Sequence, residues 1–268
     1  MKRREFMTAA CAAGLTAASL ASASAQQPTQ EDTFFEIRKY RVNGNEKVKK
    51  MIDFGKTVYG ASNSGISPYG AALADPQLNE TDKNDENAHS ELYAFLPYKS
   101  LDDAVNLEKR LFQDPEFNKK YADYRKGSSS KDPMYESMDR TLYRSYKTWP
   151  KFVIPPLAKR QILQLRIYRS FDVDRLRAKI HMFEEGGAID LFHECGISSI
   201  FYGEALYGTF LPSLAYLISF ESVDHMNDAW DKFINNPKWP VMRDDPYYAD
   251  TVTEVINVVL RSCEGSQI

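Results

Sequence analysis

Two short segments carry most of the side chains that could do chemistry. Phe35-Glu36-Ile37-Arg38-Lys39-Tyr40 and Leu163-Gln164-Leu165-Arg166-Ile167-Tyr168 alternate apolar and polar residues, the pattern of a strand whose two faces differ. One face collects Glu36, Arg38 and Tyr40, and in the second segment Gln164, Arg166 and Tyr168. The apolar face is expected to pack on helices, which turns the polar face toward the space between two sheets. Buried guanidinium groups need partners. One reading is a cavity in which Arg38 and Arg166 bind a small anionic or polar ligand. The other is an internal Glu36–Arg38–Arg166 network that fixes how the sheets meet. Tyr202 and Glu204, two residues apart on a later strand, join this set if their face is interior and line a solvent-facing edge if it is not.

His193 sits at a helix end just before Gly196. There it could be a proton shuttle or a haem ligand, or a cation at the negative end of the helix dipole. His181 and Glu185 are one turn apart and read as a solvated pair. His89 and His225 have no partner that the sequence names. No spacing supplies three or four convergent ligands, so no metal site is expected. No G-x-S-x-G, P-loop or dinucleotide fingerprint occurs.

The elements that must position these residues come twice. Ser100-Leu101-Asp102 with Gln113-Asp114-Pro115-Glu116-Phe117 is echoed by Ser222-Val223-Asp224 with Asn235-Asn236-Pro237-Lys238-Trp239. Leu142-Tyr143-Arg144-Ser145 is echoed by Val259-Leu260-Arg261-Ser262. Strands are predicted at 34–42, 66–73, 90–98 and 139–147, and again at 161–170, 197–207, 213–220 and 252–262. Helices are predicted at 45–62 and 173–194, the second bent at Gly186-Gly187. Further helices start at the N-caps Ser100 and Ser222 and stop before Pro115 and Pro237. The order is β-α-β-β-α-β twice, the ferredoxin-like unit. Such a sheet has helices on one face only, so its other face must be buried. A tandem copy can do that, giving an α+β fold in which two repeats close a pseudo-dimeric α+β barrel. The first repeat spans 26–149, a proline-stiffened linker 150–160, and the second repeat 161–268. In the second repeat, the antiparallel order brings the first helix and the last strand to one edge, so Cys195 and Cys263 read either as a disulfide or as two buried free thiols.

The chain has 268 residues, 43% of them hydrophobic and 26% charged, which suits a folded protein rather than a disordered one. Its net charge of −3 is uneven. Lys2, Arg3, Arg4 and Glu5 give residues 1–25 a net +2, leaving −5 on the remainder. An acidic body argues against nucleic acid as a partner. The basic start, an uncharged run from Phe6 to Ala25 and the Ala23-Ser24-Ala25 cut site read as a signal peptide over 1–25. Paired arginines followed by Phe6 look like the twin-arginine type. The expected location is periplasmic or extracellular, with no membrane span after cleavage. Cys11 lies too early for a lipobox.

Phe35 to Tyr40, its echo at Leu163 to Tyr168, Phe192-His193-Glu194-Cys195-Gly196-Ile197 and the Asn236-Pro237-Lys238-Trp239 helix ending together resemble the NIPSNAP family. The resemblance runs over 34–262 and is strongest in the second copy. It implies membership of the dimeric α+β barrel superfamily. The first copy departs from it at Ser62, which stands where the second has His193. With the polar strand faces, the expected function is binding of a small polar or anionic molecule in the barrel. Related barrels include cofactor-free monooxygenases and haem-handling proteins, so the resemblance also permits an oxidative enzyme with His193 as the first residue to test. A third reading is a protein-interaction or scaffold module, which a homo-oligomer would favour. Neither a cofactor nor a reaction is named by the residues themselves.

Overall fold

The computed structural model describes residues 33–61, 64–79 and 89–268. Residues 1–25, read above as a signal peptide, Cys11, Ser62 and residues 80–88 lie outside them. The first repeat runs β1 (Phe34–Val42), α1 (Asn45–Val58), β2 (Gly70–Ala74), β3 (Ser90–Tyr98), α2 (Leu101–Gln113), α3 (Pro115–Tyr124) and β4 (Ser137–Ser145). The second runs β5 (Ile162–Arg169), α4 (Val173–Glu184), α5 (Ala188–Glu194), β6 (Ser198–Tyr207), β7 (Ser213–Phe220), α6 (Val223–Asn235), α7 (Lys238–Arg243) and β8 (Glu254–Ser262). Ser100 and Ser222 cap α2 and α6 by accepting the amides of Asp103 and His225. The predicted bend at Gly186-Gly187 is a full break between α4 and α5. Gly187 has φ 85°, and a side chain on Gly186 would come within 2.6 Å of the Tyr248 hydroxyl, so glycine suits both places.

All eight strands form one closed antiparallel barrel in the order β1-β3-β2-β8-β5-β7-β6-β4. Each repeat contributes four adjacent strands, and the two sets meet at β2–β8 and β4–β6. Among the described residues no helix is long and apolar enough to cross a membrane.

The faces of β1 and β5 are inverted relative to the expectation. Phe35, Ile37, Leu163 and Leu165 point inward and pack with Phe95, Phe201, Leu217 and Leu260 in one apolar core that both repeats share. Phe35 stacks on Tyr143 at 5.0 Å and touches Phe201 at 4.6 Å. The linker takes part, with Phe152 stacked on Phe201 at 4.7 Å. Glu36, Arg38, Arg166 and Tyr168 therefore face outward, beneath the helices. The physical reason is volume. A closed barrel of eight strands gives its inward side chains no route to solvent, so apolar residues fill it, while the helix layers leave room for long polar side chains.

Of the two readings for Cys195 and Cys263, the structure has the free thiols rather than the disulfide. Cys195 is buried in the second repeat's helix-side core. The end of β8 crosses to β2, where the Cys263 amide donates to the Ala71 carbonyl at 2.8 Å. Cys263 thus packs with the first repeat, and burial pushes its thiol up to about 12.

Candidate functional site

The outward polar faces of β1 and β5 each form the floor of a cavity roofed by helices. The two cavities are built at matching positions but differ in charge. In the first repeat, a space of about 270 Å³ lies between β1, α1 and the α2–α3 corner, with Arg38 and Tyr40 on its floor and Tyr59, Tyr121 and Tyr124 in its walls. The Glu36 and Arg38 side chains are 1% and 3% exposed and form an ion pair. Arg140, the cross-strand partner of Arg38 on β4, reaches Glu36 at 2.8 Å and Glu108 at 3.2 Å. Glu108 also lies 3.5 Å from Arg38 Nη2, an ion contact rather than a directed hydrogen bond. Tyr59 accepts from Arg38 Nη1 at 3.2 Å. Two carboxylates and two guanidinium groups therefore neutralise each other. The expected internal network exists here, but without Arg166.

The second repeat replaces this quartet. Gln164 stands at the place of Glu36, Arg166 at that of Arg38, Asn257 at that of Arg140 and Trp230 at that of Glu108. The equivalences follow from strand register, Asn257 being the cross-strand partner of Arg166 on β8, and from the helix caps, since Glu108 and Trp230 each lie eight residues after the capping serine. Trp230 Nε1 donates to Gln164 Oε1 and Gln164 Nε2 to Asn257 Oδ1, both at 2.8 Å. No carboxylate remains. Arg166 instead lies under the Trp230 ring at 4.8 Å and beside Tyr168 at 5.4 Å. Its Nε is buried without a hydrogen-bond partner.

A second cation joins it. Lys179, on α4, is 8% exposed, and it occupies the position of Met51 in α1, seven residues after each helix cap. Its ammonium contacts Met182 Sδ at 3.1 Å and lies 5.6 Å from the Tyr168 ring and 5.7 Å from the Phe183 ring. Burial, and then the nearby Arg166 charge, lower its pKa to about 8. Arg166 and Lys179 line a cavity of about 300 Å³ whose walls include Phe183, Phe192, Trp230 and Trp239. Among the described residues neither cation has a salt-bridge partner. Two cations with no carboxylate beside them, in an aromatic-walled cavity, can hold an anion whose remainder is apolar.

The other expected site residues fall elsewhere. Arg38 and Tyr40 lie in one cavity and Arg166 and Tyr168 in the other, so the two arginines do not share a ligand. Tyr202 is fully buried under the second repeat's helices rather than in the barrel, stacked on Tyr146 at 5.8 Å and Tyr216 at 5.6 Å. Glu204 faces the same way and pairs with Arg144 at 2.7 Å. His193 lies off the cavity, 3.0 Å from Ser199 Oγ, which is 2.6 Å from the Tyr202 hydroxyl. His181 pairs with Glu185 as expected, at 3.2 Å. His89 and His225 do have partners, Glu136 at 2.7 Å and the Glu221 amide at 3.2 Å. Among the described residues no group of three or more His, Cys, Asp and Glu side chains is placed to hold a metal ion.

Lys179 and Trp230 were not among the expected site residues. The signal for Lys179 was present, since it lies in the helical stripe of Leu176 and Phe183, where a lysine is out of place unless the stripe borders a cavity. Trp230 carried no comparable signal.

Residues 163–267 match the NIPSNAP family model, so the match covers the second repeat and its cavity. No curated protein matches the chain in sequence. A candidate monooxygenase from Fusobacterium nucleatum subsp. nucleatum is similar in structure with a TM-score of 0.56 and 9% identity, over 87% of this chain and 93% of that one. A second candidate monooxygenase, from Lactobacillus acidophilus, gives 0.52 and 12%, over 87% and 94%. At these identities the likeness is one of fold, and it agrees with the α+β barrel.

Proposed function

We propose that the protein binds a small anion with an apolar body in the cavity between β5, α4 and α6. The observation that carries this is the presence of both Arg166 and Lys179 in one cavity whose lining contains no carboxylate. Desolvated cations are costly unless something compensates them, and a ligand carboxylate, enolate or phenolate would do so. The first cavity needs no such ligand, because Glu36 and Glu108 already neutralise Arg38 and Arg140. The test is a fluorescence titration, read from Trp230 and Trp239, with phenylacetate and with neutral phenylacetamide. The carboxylate should bind and the amide should not, and Arg166→Gln should remove the response. Equal binding of both compounds would refute the reading.

A second reading adds oxidative chemistry on the bound anion. It is supported by the fold shared with the two candidate monooxygenases and by the tyrosines under the same cavity, where the Tyr168 and Tyr216 hydroxyls are 2.7 Å apart. Ligand-dependent oxygen uptake by the purified protein would support it, and its absence across phenolic and carboxylic ligands would remove it. Export belongs to the same proposal. Arg3-Arg4, the uncharged run and Ala23-Ser24-Ala25 support a twin-arginine-type signal. Replacing both arginines by lysine should retain the precursor inside the cell, whereas unchanged export would exclude that route.

A further inference from the structure

We infer that Lys179 is a carbonyl-trapping amine, which forms a Schiff base with an oxo acid whose carboxylate rests on Arg166. The inference rests on the anion-binding reading and adds a substrate class and a reaction to it.

The geometry sets Lys179 apart from a salt-bridging lysine. Among the described residues its nitrogen meets a thioether sulfur and two ring faces. None of these is a strong acceptor for three N–H groups. Burial beside another cation makes this proton easier to lose, and it is a recognised way of activating a lysine toward carbonyl groups. A pKa of about 8 leaves part of the population unprotonated near neutral pH. Arg166 and Lys179 flank the same Tyr168 ring at 5.4 and 5.6 Å, so they lie no more than about 11 Å apart. One small molecule can therefore present a carboxylate to the first and a carbonyl to the second.

The step balances without a co-reactant. The Lys179 nitrogen forms a bond to the carbonyl carbon, and the C–O π pair moves to oxygen. A proton passes from nitrogen to that oxygen, giving a carbinolamine. Loss of water then leaves a C=N bond. Uptake of one proton from solvent gives the protonated imine, which restores a positive charge next to the carboxylate. The matching position in the first repeat is Met51, which has no amine, so this chemistry is confined to one cavity.

The experiment uses the full chain incubated with phenylpyruvate and sodium cyanoborohydride, followed by peptide mass mapping. The expected result is one reduced adduct on Lys179, at least tenfold suppressed by excess 3-phenylpropionate, which has no carbonyl. Lys179→Arg should give no adduct, with its thermal melt showing that it is folded. Binding of 3-phenylpropionate without an adduct, or adducts spread over other lysines, would overturn the inference and leave the anion reading standing. No binding of 3-phenylpropionate and no adduct would overturn both.

Discussion

Trp230 covers Arg166 from 4.8 Å at the position where the first repeat sets Glu108 3.5 Å from Arg38. The same guanidinium, on the same strand position, is thus answered by an acid in one half and by an aromatic face in the other. A cation–π contact offsets part of the desolvation of Arg166 but leaves its charge uncancelled, and Lys179 adds to it.

Restoring an acid should close the second cavity to anions. Gln164→Glu places a carboxylate where Glu36 stands in the first repeat, within reach of Arg166. The affinity for phenylacetate should fall at least tenfold, or about 1.4 kcal/mol, with little change in fold. Isothermal titration of the variant against the parent measures this. An unchanged affinity would mean that Arg166 does not hold the carboxylate.

Anion binding should weaken as the pH rises through about 8, where Lys179 loses its proton. A bound carboxylate favours the ammonium, so binding near that pH should take up a proton, detectable as a buffer-dependent heat. The effect on stability has the opposite sign. Between about 8 and the ordinary 10.5 the unfolded chain holds the proton that the folded chain has released, so this group's contribution to stability rises with pH over that window. Lys179→Met should remove both dependences.

In the first repeat, Glu36→Ala should destabilise the fold rather than alter ligand binding. It leaves Arg38 buried with the Tyr59 hydroxyl and the more distant Glu108 carboxylate as partners. Breaking a buried pair in this way costs about 3–5 kcal/mol, readable as a lower urea midpoint at constant slope.

Much of the fold was legible because strands and caps have local signatures. The bounds 34–42, 90–98 and 213–220 match the structure, set by period-two alternation and by Ser100 and Ser222 at the helix starts. What alternation could not settle is which face of β1 belongs to which layer. It shows that Phe35 and Glu36 point apart, not that Phe35 meets Phe201 from the other repeat. That contact is between residues far apart in sequence, as is the β2–β8 pairing that separates Cys263 from Cys195. The site was half legible for the same reason. Arg166 and Tyr168 stood out by type and spacing, whereas Trp230 became meaningful only once α6 was placed over β5.

The cysteines give a check on that topology. Intact mass should be the same with and without reductant, and alkylation under denaturing conditions without reductant should label both Cys195 and Cys263. A two-dalton increase on reduction would show a bond that the strand order does not allow for.

Phe35→Ala should cost about 3–5 kcal/mol, as for other buried aromatic truncations, and unfolding should remain a single transition. Phe35 packs against β4, β6 and the linker at once. Two separate transitions would show that the repeats fold independently.

The closing of the barrel within one polypeptide has a consequence for heredity. A barrel assembled from two identical chains displays every substitution twice, so a lysine placed over one strand face would appear over both. Here the gene holds each face as its own text. One copy can keep its acids and act as ballast for the shared core, while the other exchanges Glu for Gln, Met for Lys and Glu for Trp without disturbing its twin.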